Sequence, residues 1–121
     1  MILVDTSIWI DHFRVANLAL ARLLHGGRVA MHVMVIGELA CGSIPQRSEI
    51  LLRLRRLPQA PLALHDEVLF FIERHQIMSL GIGYIDVHLL AAASMSPELK
   101  LWTRDRRLSA IAGQLGLQHT Q

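Results

Sequence analysis

Short unbroken apolar runs alternate along the chain with longer stretches in which apolar residues recur every three or four positions. Ile2 to Val4, Val29 to Met34 and Leu99 to Trp102 are of the first kind and read as strands buried on both faces. The second kind fills the gaps. A helix is expected from Ile8 to about Phe13, capped by Thr6 or Ser7, and another from Leu18 to Leu24, stopped by Gly26 and Gly27. Ile36 to Cys41 makes a third, ending at Gly42. In SEILLRLRRLP, Ile50, Leu51, Leu54 and Leu57 form a stripe, and Arg53, Arg55 and Arg56 lie off it on a solvated face. Pro58 and Pro61 mark a loop, and Leu62 to Leu64 a short edge strand. Asp66 is placed as the cap of a long helix from Val68 to Ser79, stopped at Gly81. A further helix follows Gly83, from about Ile85 to Ser94. The last runs from Leu108 to Leu115, ends at Gly116 and leaves Leu117 for a final short strand.

Strands alternating with helices predict an α/β domain whose mainly parallel sheet is covered on both faces. No repeat, low-complexity tract or long linker divides the 121 residues, so one domain over residues 1–121 is expected. A hydrophobic fraction of 52% is high for a soluble chain and points to a buried sheet, an apolar partner surface, or both. No stretch approaches the ~20 apolar residues of a membrane span. Asp5 and Asp11 interrupt the opening, which also lacks the basic start of a signal peptide. Cys41 is the only cysteine, which rules out an intramolecular disulfide and suits a reducing cytoplasm. A net charge of +2 is a mild bias, but Lys100 is the only lysine. The remaining positive charge is arginine, whose planar fork suits phosphate oxygens; a GC-rich coding bias explains the same composition equally well.

The acids sharpen this picture. In parallel sheets, functional groups gather at the carboxyl ends of the strands. Asp5 ends the first strand, Glu38 follows the second, Asp86 opens a helix after GIGY, and Asp105 lies just past KLWT. All four can therefore lie at one end of such a sheet. Two carboxylates ~4 Å apart repel by about 4 kcal/mol at an effective dielectric near 20, so such a set needs protons or cations. Oxygen ligands alone suit Mg²⁺ or Mn²⁺, and such an ion can activate a water against a phosphodiester. Any one of these acids reads more readily as a helix cap or dipole partner; the ordered set favours a metal site. Asp11, Glu49, Glu67, Glu73 and Glu98 read as surface charges or helix starts. The histidines are too scattered for a ligand set, and His88 points away from Asp86 on its helix. Trp9 and Trp102 are expected in the core or at a dimer contact.

ILVDTS, ELACG, YIDVHLLAAA and LWTRD, in this order and spacing, resemble the motifs of PIN-domain ribonucleases. The likeness is closer still to VapC-type toxins of bacterial toxin–antitoxin pairs, and it covers the whole chain. The resemblance implies a three-layer α/β/α sandwich and a metal-dependent endoribonuclease that leaves a 5′-phosphate and a 3′-hydroxyl. Asp5, Glu38 and Asp86 would be the core ligands of one or two Mg²⁺ or Mn²⁺ ions. Asp105 would be a fourth acid, binding a second ion or acting through water. Ser7 and Thr103 would orient a carboxylate or water, or serve only capping and strand-end hydrogen bonds. The resemblance further implies a cytoplasmic homodimer with no membrane attachment. A cognate antitoxin would block its site within a higher-order complex, and tRNA or rRNA would be its substrate. An antitoxin helix would need an apolar groove; Leu51, Leu54, Phe70 and Phe71 are candidate liners, although most of them read more readily as core. Arg104, Arg106 and Arg107 flank Asp105 and would guide RNA, hold an acidic antitoxin tail, or merely solvate a helix start.

Competing readings are a housekeeping RNA-processing PIN nuclease and a non-catalytic module that uses its acids for metal-bridged RNA or protein contact. A dehalogenase-type phosphatase needs a second acid where Ser7 stands, together with a late paired-acid motif. A receiver domain needs adjacent acids after its first strand.

Overall fold

Three parallel strands, β1 (Ile2–Val4), β2 (Val29–Ala30) and β3 (Lys100–Trp102), lie in the order β2-β1-β3 in the computed structural model, which describes residues 1–120. Ile2 stands opposite both Val29 and Lys100. Successive strand residues point to opposite faces, yet Leu3 and Val4 are both fully buried. Both faces of the sheet are therefore covered, which gives the three-layer α/β/α arrangement.

The helices are α1 (Thr6–Arg14), α2 (Leu18–His25), α3 (Val33–Ala40), α4 (Arg47–Arg56), α5 (His65–His75), α6 (Tyr84–Ser94) and α7 (Arg106–Gln114). Parallel bridges from Met31 to Gln59 and from Leu101 to Gln118 widen the sheet at its two edges. From β1 the chain steps outward through α1 to α4, then returns past β1 through α5 and α6 to β3. Right-handed crossovers in opposite directions put the two groups of helices on opposite faces. Accordingly α1 packs on α3, α3 on α4, and α5 on α6. Strand order reverses between β1 and β3, so the functional crevice of such a sheet belongs at their carboxyl ends.

Helix α6 has no polar face in its second half. Val87 to Ala93 are all buried, His88 included, as the run VHLLAAA requires of a helix packed on a sheet.

Several expected boundaries move. The second strand stops at Ala30 instead of Met34, because the His32 ring accepts the Met34 N–H at 3.0 Å and starts α3. Asp5 itself caps α1, one or two residues before the expected Thr6 or Ser7. Leu64, not Asp66, is the N-cap of α5, with the Glu67 carboxylate accepting the Leu64 N–H at 2.7 Å. That helix ends at His75, where Gln76 turns left-handed, and does not reach Ser79. Leu62 to Leu64 form no strand; the edge bridge falls at Gln59 instead.

Candidate active site

Asp5 extends β1 by one rung: its N–H donates to the Trp102 carbonyl at 2.9 Å. It then caps α1, with Oδ1 accepting the Thr6 N–H at 2.7 Å. Oδ2 accepts two hydroxyls, Thr103 at 2.6 Å and Ser7 at 3.2 Å. The residue is only 6% exposed, so a strand rung, a helix start and two side chains fix its carboxylate.

Thr103 connects that carboxylate to the next acid. Its Oγ1 donates to Asp5 and accepts the Asp105 N–H at 3.1 Å. Asp105 caps α7, with Oδ1 accepting the Leu108 N–H at 3.0 Å. Glu38 enters from α3, and its Oε1 accepts the Thr6 hydroxyl at 2.6 Å. Thr6 thus joins Glu38 to the Asp5 turn. From sequence Thr6 reads as a cap of α1; its place between Asp5 and Ser7, at a strand end, is the one local sign of this second role.

Asp86 lies in the first turn of α6, its Oδ2 accepting the Gly83 N–H at 3.2 Å. Burial pushes its carboxyl above the ordinary aspartate value, against the pull of that hydrogen bond. The charges of Asp5, Asp105 and Glu38 push it further the same way, so all four acids share one field. They do not form a closed cage. Among the described residues no three His, Cys, Asp or Glu side chains stand close enough to chelate an ion as arranged. The donors at hand are carboxylates and hydroxyls only. That set fits a hydrated hard cation, since Mg²⁺ keeps several waters and needs few direct carboxylates.

The flanking arginines part company. Arg104 Nη1 lies 3.1 Å from Asp11 Oδ2. Arg107 packs over Gly81, whose φ of +84° and missing Cβ leave room for the guanidinium. Arg107 therefore braces the loop that leads to Asp86. Arg106 is exposed at the start of α7.

His32 and His88 are buried, with ring centroids 6.0 Å apart, and His88 meets Tyr84 edge-on at 4.7 Å. Burial, and then the neighbouring His88, lower the His32 pKa to about 4. Trp9 is buried, as expected of a core residue. It also lines an apolar groove of about 380 Å³ with Phe13, Leu24, Ile50, Arg53, Leu54 and Leu57. Of the candidate groove liners only Leu54 is there, and it and Phe71 are core residues, the reading preferred for most of the four. Phe71 turns into the core, Phe70 is 65% exposed on α5, and Leu51 does not line the groove.

Residues 2–114 match the family model of the PIN domain. The chain is 44% identical over 117 residues to Ribonuclease VapC32 from two strains of Mycobacterium tuberculosis, a match covering 97% of this chain and 94% of the relative.

Proposed function

The chain belongs to the PIN domain family, and from that membership we propose that it is an endoribonuclease acting as the toxin of a toxin–antitoxin pair. Its hydrolysis of RNA phosphodiesters would depend on one or two Mg²⁺ or Mn²⁺ ions. The observation that carries the reading is the meeting of Asp5, Glu38, Asp86 and Asp105 in one electrostatic field at the β1–β3 switch point.

Asp5, Glu38 and Asp86 are the proposed ligands, with Asp105 as the fourth acid. When bound there, the cation supplies charge neutralisation at the phosphate and lowers the pKa of a water nucleophile. The protein supplies placement. Thr103 and Ser7 hold Asp5 Oδ2, Thr6 holds Glu38 Oε1, and the Gly83 amide holds Asp86 Oδ2. Glu38 Oε2 and Asp86 Oδ1 lie outside these contacts and can face an ion or the substrate. Both Asp5 oxygens already accept hydrogen bonds, Oδ1 from the Thr6 N–H, so Asp5 would bind through a remaining lone pair. A carboxylate held by an outer hydrogen bond loses less freedom on binding the ion.

The apolar groove beside Trp9 suits one face of an amphipathic helix, and a cognate antitoxin is its proposed occupant. Homodimerisation, cytoplasmic residence and a single domain over residues 1–121 belong to the same proposal. No helix among the described residues is long and apolar enough to cross a membrane.

Antitoxin-free protein incubated with bulk tRNA and rRNA tests the mechanism. Cleavage is expected with Mg²⁺ or Mn²⁺ and is lost in EDTA and in Asp5→Ala. Cleavage that survives either change removes the metal mechanism. RNA binding without cleavage by the wild type supports the non-catalytic module instead.

A further inference from the structure

A polar cleft of about 470 Å³ opens between the end of α1, the start of α2 and the β3–α7 loop, the loop that also carries Asp105. Asp11, Arg14, Asn17 and Arg104 line it, with Val15 and Ala16. We propose that this cleft is a phosphate subsite, in which Arg14 and Arg104 hold the RNA backbone next to the link being cut. The inference rests on the ribonuclease reading and adds where the strand lies.

Two paths tie the cleft to the acids. Ser7, Asp11 and Arg14 follow at i, i+4 and i+7 and share one face of α1. Ser7 touches Asp5, and at 1.5 Å per residue Arg14 stands roughly 10 Å further along the helix. Arg104 lies between Thr103, which touches Asp5, and Asp105. Trp9 and Phe13 lie on the opposite side of α1, with the apolar groove. One helix therefore separates the two surfaces.

The cleft's chemistry favours an anion. Two guanidinium groups face one carboxylate. The Arg104–Asp11 contact runs through a single nitrogen, and the two side chains are 57% and 41% exposed. Exposed pairs of this kind are weak, and the other N–H groups of Arg104 stay available to phosphate oxygens. Asn17 spends its Oδ1 on the Leu20 N–H at 3.0 Å, which leaves its side-chain N–H groups for the cleft. The acid cluster repels every phosphate that its cation does not neutralise. A strand crossing it needs cations a short distance away, and this cleft provides them. A polar cleft gives the side chains of a peptide little to bury, so RNA is favoured over an acidic protein tail.

The test is binding of a fluorescent single-stranded RNA oligonucleotide in EDTA over a salt series, using wild type, Arg14→Ala, Arg104→Ala and the double variant. Each loss is expected to weaken binding about tenfold and to lower the slope of log affinity against log salt by about 0.7, the value for one single-strand phosphate contact. Asp11→Asn frees Arg104 and should tighten binding about twofold. Thermal melts confirm that these surface variants fold. The proposal is overturned if the double variant keeps wild-type affinity and slope. It is equally overturned if that variant loses binding to polyglutamate but not to RNA, which would make the cleft a peptide site. Failure of the ribonuclease reading is separate: wild-type protein with Mg²⁺ would leave bulk RNA uncut, whatever the salt slopes.

Discussion

Replacing Thr103 by valine keeps the volume of the side chain but removes its hydroxyl, which stands between Asp5 and Asp105. The variant loses a 2.6 Å bond to a carboxylate that is only 6% exposed, and a 3.1 Å bond from the Asp105 N–H. A hydrogen bond to a charged group contributes about 1.5–3 kcal/mol, while the Asp105 amide can turn to water at smaller cost. Asp5 Oδ2 retains only the longer Ser7 contact at 3.2 Å. Thr103→Val should therefore lower stability by about 2 kcal/mol, or about 8 °C in Tm for a chain of this length. With Asp5 less firmly aimed, cleavage should fall about 10- to 100-fold, the usual range for losing an outer hydrogen bond on a ligand. Urea unfolding at neutral pH and cleavage of bulk RNA measure the two effects, and Thr103→Ser should restore both. If Thr103→Val unfolds and cuts as the wild type does, the hydroxyl does not orient Asp5 and the reasoning fails.

Two further predictions come from the shifted groups, and both have a definite sign. The Asp86 pKa is raised in the fold, so the folded state holds its proton longer than the unfolded chain does. The resulting stability is complete below the unfolded value of 3.8 and is lost as pH rises through the folded pKa. Asp86→Asn should then raise the melting temperature of metal-free protein at pH 7, with no gain near pH 3, and abolish cleavage; a lower melting temperature at pH 7 counts against crowded acids. For His32, the folded pKa of about 4 lies below its ordinary 6.5, so stability is held above pH 6.5 and lost as pH falls towards 4. Over that window the loss is on the order of 3 kcal/mol for a fully buried ring. His32→Asn keeps an oxygen for the Met34 N–H but has no proton to take up, so unfolding free energies measured from pH 7 to 4 should show a flatter slope; an unchanged slope would assign acid sensitivity elsewhere.

The sequence by itself determined the alternation of strands and helices, and with it a parallel sheet whose strand ends collect functional groups. Apolar runs and helical stripes record local burial, and local burial is what periodicity reports. The placement of the four acids was legible for the same reason: each is fixed by its position relative to its own strand or helix start. The ends of elements were less legible. His32 stops a strand through its ring, and Glu67 caps a helix from within its first turn; side-chain bonds to the backbone leave only a weak mark on hydrophobic pattern.

Only the tertiary structure decided which groups meet across the chain. The Thr103–Asp5 bond spans residues far apart in sequence, as do the Thr6–Glu38 bond and the pairing of Arg104 with Asp11. It separated Arg104, at the polar cleft, from Arg107, packed over Gly81, although only Asp105 and Arg106 divide them. It also moved the apolar groove away from Phe70 and Phe71 to the Trp9 side of α1. A repeat of apolar residues shows that a helix has a buried face. What that face packs against depends on how the crossovers bring distant helices together, and no local spacing carries that information.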